Sequence, residues 1–189
     1  MGTLVLVRQV VRAVAPLSVL AAGGVADGAG LAAGLMLGAD GVLLGTRFLA
    51  THEAPLPDSY KQAICSSNGH DTLLGELPDK MLGRVWPGAF ARVLRNRIMQ
   101  DWAGRESEVR IHQAEIAARL VRARELGDAE RGALFMGQDA GLIDSIEPAG
   151  ELVHRLVRDA EAILTSRAAE VVAPAVPVSE AAASVVARN

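Results

Sequence analysis

Apolar residues near the start of the chain recur at helical spacing. Leu4, Val7, Val10, Val11 and Val14 alternate with Arg8, Gln9 and Arg12, which predicts an amphipathic helix with one buried face, stopped by Pro16. Residues 17–22 (LSVLAA) form a short continuous apolar run, the pattern of a strand buried on both faces. A glycine-rich turn follows at residues 23–30 (GGVADGAG). Residues 31–37 (LAAGLML) read as a helix that Gly38 ends, and residues 41–45 (GVLLG) as a second buried strand. Helix, strand, helix, strand with short connections means parallel strands joined by crossover helices, an α/β arrangement.

Beyond Phe48 the pattern turns mostly helical. Residues 58–66 predict a helix and residues 71–77 an extended segment. Residues 89–102, apolar and basic at helical spacing, predict another helix. Residues 106–126 read as one long helix with Ile111, Ile116, Leu120 and Val121 inward. A last helix covers residues 148–167, with Pro148 near its first turn and Leu152, Leu156 and Ile163 inward. Residues 168–189 are Ala, Val, Pro and Ser without period and are expected to be a disordered tail. The expected organisation is a strand-bearing segment at 1–54, a helical segment at 55–167 and the tail. Two parallel strands do not close a sheet, and they leave edges and Val- and Leu-rich faces open. The pattern opens in mid-architecture, so further strands are expected on the N-terminal side, and the chain reads as a fragment.

Composition narrows the function classes. Half of the 189 residues are apolar, 3% are aromatic and the net charge is −3, which argues against a general nucleic-acid binder. A single cysteine, Cys65, excludes a disulfide framework and a CxxC metal site and suits a reducing, cytoplasmic compartment. No apolar run reaches the ~18 residues of a membrane span. Arg8 and Arg12 fall inside the first apolar stretch rather than before it, unlike a secretory signal. No GxSxG, HExxH or DxDxDG motif occurs, and Asp40, Asp71, Glu76 and Asp79 read as turn and surface acids. Cys65 lies on an amphipathic helix without a His or Asn partner pattern and reads as a buried structural thiol. Trp86 and Trp102 flank Arg92, Arg95 and Arg97, which reads as a packed helix.

The glycines carry the candidate chemistry. Gly23 and Gly24 directly follow a strand, where they let the backbone take positive φ and approach a ligand. The helix after the turn offers free N–H groups and a dipole suited to phosphate. The second strand also ends in glycine, at Gly45, followed by Thr46 and Arg47. In a parallel barrel the loops after the last two strands commonly make a phosphate site on one shared face. Thr46 either binds phosphate through its hydroxyl or N–H, or caps a helix. Arg47 either leans on an anion or lies exposed beside Glu53. Asp27 is placed to cap the following helix. Without these roles, glycines after strands serve only as tight turns.

Residues 16–54, PLSVLAAGGVADGAGLAAGLMLGADGVLLGTRFLATHEA, resemble the FMN-binding end of nitronate monooxygenases, formerly called 2-nitropropane dioxygenases. The AAGGVADG and GADGVLLGTRF blocks carry the resemblance, with Tyr60-Lys61 following. Residues 127–144 (GDAERGALFMGQDAGLID) resemble that family's GQ-AGLI segment. FMN-dependent enoyl-ACP reductases share much of the pattern. The resemblance implies the C-terminal part of an FMN-binding TIM barrel, two parallel strands with crossover helices, followed by a mostly helical segment. It implies an FMN-dependent oxidoreductase acting on a nitronate or nitroalkane with oxygen, and a homo-oligomer is compatible with it. Gly23 and Gly24 would belong to one FMN-phosphate loop and Leu43, Leu44, Gly45 and Thr46 to the other. Gly137 and Gln138 match the third motif, near the cofactor region. The family's catalytic histidine belongs to an AGGH-type motif that precedes the segment where this sequence begins. None of His52, His70, His112 and His154 matches it, so no catalytic residue is assigned. The alternatives are a non-catalytic flavin- or phosphate-binding remnant, or a relative of the enoyl-ACP reductases.

Overall fold

Alternation in the first segment folds as the spacing predicts. The structure, a computed structural model, describes residues 1–172. Helix α1 (Thr3–Val14) precedes strand β1 (Leu20–Ala22), helix α2 (Gly28–Met36) and strand β2 (Gly41–Leu43). The two strands pair in parallel, with Leu20 opposite Gly41 and Ala22 opposite Leu43. Asp27 caps α2 by accepting the Gly30 N–H at 2.8 Å, so this helix starts at Gly28, a turn earlier than expected. It ends before Gly38, which takes φ +93°.

The expectation of strands buried on both faces fails. Side chains alternate across the pair, and Ala21 and Val42 face helices α1 and α2, packed with Val7, Val11, Leu37 and Ala39. Leu20, Ala22 and Leu43 on the opposite face are exposed, and Leu17 lies outside the strand. Burial in α1 is likewise confined to Val7, while Leu4, Val5 and Leu6 stand exposed.

Helix α3 (Thr46–Leu49) follows β2, and helix α4 (Asp58–Cys65) matches the expected one. Strand β3 (Thr72–Gly75) pairs antiparallel with β4 (Ala91–Leu94), Thr72 opposite Leu94. Helix α5 (Leu77–Met81) connects them, and helix α6 (Arg97–Trp102) comes next. The helix expected over 89–102 is therefore corrected to a strand and a short helix. Asn96 is extended, and its side-chain oxygen accepts the Met99 N–H at 3.3 Å, so helical geometry begins only at Arg97. Trp86 is exposed on the preceding loop rather than packed on a helix.

The long helix expected over 106–126 is also corrected. It breaks at His112 into α7 (Glu106–Ile111) and α8 (Gln113–Glu125). The break rotates Ile111 into solvent, and Val121 is exposed, while Ile116 and Leu120 are buried as expected. After a 3-10 turn at Gln138–Leu142, helix α9 (Ala149–Val172) closes the described chain. It continues past the expected start of the tail at residue 168, and the remainder of that call, residues 173–189, lies outside the described residues.

Packing then fixes the layout. Helix α9 lies against α2 at such close range that a Cβ on Gly28 would collide with Asp159 Cβ and the Ala160 backbone. Glu53 accepts the Ala149 N–H at 2.8 Å and so caps α9. One apolar core joins Tyr60, Ile64, Leu134, Met136 and Ile143, and another joins Met81, Val93, Met99, Val109 and Ile116. Among the described residues no helix is long and apolar enough to cross a membrane.

Candidate functional site

The chain reverses sharply after each parallel strand, and the two reversals face each other. After β1, Gly23 and Gly24 take φ +93° and +78°, a conformation that only glycine adopts at low cost. The Thr3 hydroxyl donates to the Gly23 carbonyl at 3.0 Å, tying this turn to the start of α1. After β2, Leu44 and Gly45 lead into Thr46, the first residue of α3. These turns line a cleft of about 440 Å³ that contains Gly23, Gly24, Leu43, Leu44, Gly45 and Thr46. All six residues singled out from the sequence thus meet in one place.

A third wall comes from far along the chain. Residues 134–136 add to the edge of β4: Leu94 N–H donates to the Leu134 carbonyl, and Met136 N–H to the Arg92 carbonyl. That pairing delivers Gly137, whose N–H donates to Thr46 Oγ1 at 2.8 Å. The Thr46 hydroxyl in turn donates to Asp139 Oδ1 at 3.2 Å. Gly137 and Asp139 line the cleft, whereas Gln138, the other residue of that motif, does not. Asp139 was missed from the sequence; its signal was its place next to the GQ pair, with no pattern to single it out.

Among the described residues the cleft is lined by glycine backbone, apolar side chains, Thr46 and Asp139, with no basic side chain on its walls. Among the described residues, the N–H groups of Gly24, Gly45 and Thr46 donate to no other group of the chain. A Cβ on Gly24 or Gly45 would meet nothing within 4 Å, so both glycines border open space rather than a packed neighbour. Asp139 is buried, and desolvation holds its carboxyl above the usual aspartate value, partly offset by the Thr46 hydroxyl.

Arg47 does neither thing expected of it. It is 2% exposed and turns away from the cleft, donating to the Ser145 carbonyl at 3.0 Å and to Glu147 Oε1 at 2.6 Å. Its Nε has no partner among the described residues. Glu53, its expected neighbour, serves α9 instead. Arg155 also pairs with Glu147, and the Arg155 and Arg47 guanidinium groups hold the Glu147 carboxyl below its usual range. Cys65 is half-buried, and burial raises its thiol pKa, as suits a structural cysteine. The four histidines are exposed and none lines the cleft.

Two glycine turns facing one cleft match the resemblance read from the motifs, and the comparison with known families decides the matter. The nitronate monooxygenase family profile matches residues 1–159. The chain belongs to the nitronate monooxygenase family. It is 34% identical over 174 residues to the nitronate monooxygenase npaC of Metarhizium robertsii, covering 87% of this chain and 48% of that protein. Among solved structures, FabK from Thermotoga maritima superposes with a TM-score of 0.76 at 35% identity, over 90% of this chain and 52% of that one. A nitroalkane oxidase from Streptomyces ansochromogenes gives 0.72 at 32% identity, over 88% of this chain and 46% of that one. This member of the nitronate monooxygenase family spans about half the length of the curated relatives it matches.

Proposed function

We propose that this chain supplies the phosphate-binding end of an FMN site in an oxidoreductase acting on nitronates or nitroalkanes with oxygen, in the cytoplasm. The observation that carries the reading is the cleft, which gathers Gly23, Gly24, Leu43, Leu44, Gly45 and Thr46 from two consecutive strand ends. In this reading β1 and β2 are neighbouring strands of a TIM barrel, whose phosphate sites lie in such loops.

The residues present fit a phosphate bound through backbone. Unpaired N–H groups at Gly24, Gly45 and Thr46 point to anion recognition by the main chain, and the absent Cβ atoms at Gly24 and Gly45 leave room for it. Thr46 contributes through its N–H, because its hydroxyl is engaged with Gly137 and Asp139. Leu43 and Leu44 present apolar surface on the strand side of the cleft. When bound, FMN supplies the redox chemistry, and this chain holds and orients it. None of the chain's histidines lines the cleft, so its residues assign no proton acceptor for the substrate.

The test is an absorption spectrum of the purified chain after addition of FMN and removal of the excess. A retained, structured flavin band supports the reading, and nitronate turnover with oxygen consumption then tests the reaction. Loss of all flavin on desalting refutes it. Near-equal likeness to two differently named structures, FabK and a nitroalkane oxidase, favours one second reading, a relative of the enoyl-ACP reductases. NADH-driven enoyl reduction without nitronate oxidation is the result that would establish it.

A further inference from the structure

A carboxylate on the wall of an anion site is an electrostatic contradiction, and Asp139 is such a carboxylate. It lines the same cleft as Gly24 and Gly45 and is 7% exposed. Among the described residues it forms no ion pair. Its one side-chain partner is the Thr46 hydroxyl, which donates to Oδ1. Its own backbone N–H also acts on the carboxyl, and no cation of the described residues bonds to it.

The groups around it do not supply the missing charge. On α3, Arg47 is committed to Glu147 and Ser145. On α4, Lys61 donates to the His52 carbonyl, Tyr60 to the Asp128 carbonyl, Asp58 is exposed and Cys65 makes no bond to Asp139. On the loop against the turn, His70 is exposed and Asp71 accepts from Ser67. Across the cleft, Asp27 is committed to its helix cap. Further along the chain, Asp144 makes no bond to Asp139 either.

Two negative groups held against one another in one cleft do not both stay ionised, and one proton is shared between them. We propose that Asp139 and a bound phosphate share one proton in a carboxyl–phosphate hydrogen bond, and that this makes phosphate binding by this cleft proton-coupled. Asp139 then sets the pH range in which this cleft accepts a phosphomonoester and leaves an uncharged ligand unaffected. This rests on the reading of the cleft as an FMN-phosphate site. Burial, which already favours the neutral acid, acts in the same direction.

The experiment compares the full chain with Asp139→Asn, which keeps the acceptor for Thr46 and replaces the acid by a permanent donor. Binding of FMN, riboflavin and inorganic phosphate is titrated between about pH 5 and 9. The titration of the free FMN phosphate is common to both proteins and cancels in their ratio. Where both Asp139 and the free FMN phosphate are fully ionised, wild-type affinity for FMN should fall relative to the variant by up to tenfold per pH unit, the slope for uptake of one proton. Riboflavin should show no such difference. Carbon NMR of the wild-type Asp139 carboxyl needs no variant, and its titration should move to higher pH on adding FMN or phosphate. Superimposable pH profiles for the two proteins, or an Asp139 titration that neither FMN nor phosphate moves, overturns the proposal. If FMN binds neither protein while inorganic phosphate binds with the Asp139-linked proton, the FMN reading falls and the role of Asp139 stands. If neither phosphate ligand binds at any pH, both fall.

Discussion

Thr46→Val separates two roles that the sequence left open for this hydroxyl. If Thr46 Oγ1 is a brace between loops, its loss costs stability before any ligand is added. The hydroxyl accepts the Gly137 N–H at 2.8 Å and donates to Asp139 Oδ1 at 3.2 Å, and Thr46 is 7% exposed. Valine preserves the shape and removes both bonds. An amide N–H left buried without a partner costs about 1–3 kcal/mol, and a lost hydrogen bond to Asp139 adds about 1 kcal/mol. Gly137 is only half-buried, which places the expected loss at about 2–3 kcal/mol. Thr46→Ser retains the oxygen and should lose less than about 1 kcal/mol. Urea unfolding of the three proteins without ligand, with m unchanged, reads these differences. A Val variant within about 0.5 kcal/mol of wild type would refute the brace. In that case the hydroxyl is free to serve a ligand, and the third wall of the cleft is not held by this contact.

Three further outcomes follow from the same kind of accounting. Asn96 is buried, and its Nδ2 donates to the Ala129 and Gly132 carbonyls at 2.6 and 2.7 Å while its oxygen caps α6. Asn96→Ala should cost about 3 kcal/mol in denaturant unfolding, and a loss under about 1 kcal/mol would show that the carbonyls find other partners. Because Arg155 and Arg47 lower the Glu147 pKa in the folded chain, its contribution is complete above the unfolded glutamate value and is lost as pH falls through the folded one. Glu147→Gln should destabilise the chain at pH 7 by about 3 kcal/mol, since Arg47 stays buried, and should flatten the acid limb of a stability–pH curve; an unchanged limb contradicts this. The open face of the β1–β2 pair, with Leu20 59% and Leu43 63% exposed, should drive self-association of the chain, measured by sedimentation velocity. A concentration-independent, cooperatively melting monomer would count against that, and Leu20→Glu should weaken the association.

What could be read from the sequence was local. Asp27 before a helix, Gly38 after it and the positive-φ pair Gly23-Gly24 each depend on neighbours within a few residues, and all three stand as read. The segment 91–94 depended on a partner elsewhere. Its apolar residues satisfy helical spacing, but backbone pairing with β3 on one side and residues 134–136 on the other outweighs that preference. The break at His112 left no proline or glycine to announce it, so one helix was the simpler reading of residues 106–126.

The same distinction runs through the cleft. Its first two walls end consecutive strands, and their glycines can be read in the chain. Its third wall exists because β4 recruits residues 134–136 and sets down Gly137 and Asp139 against Thr46, about ninety residues away in the chain. Arg47 shows the cost of missing such contacts. Beside a glycine turn it reads as an anion ligand, yet Glu147, at a separation of 100 residues, claims it and removes the one cation that stood next to the cleft. Among the described residues the site is therefore left with backbone donors, the Thr46 hydroxyl and one acid. A phosphate held there must be held by main-chain geometry rather than by side-chain charge, so the positions of Gly24, Gly45 and Thr46, and whatever braces them, set the affinity.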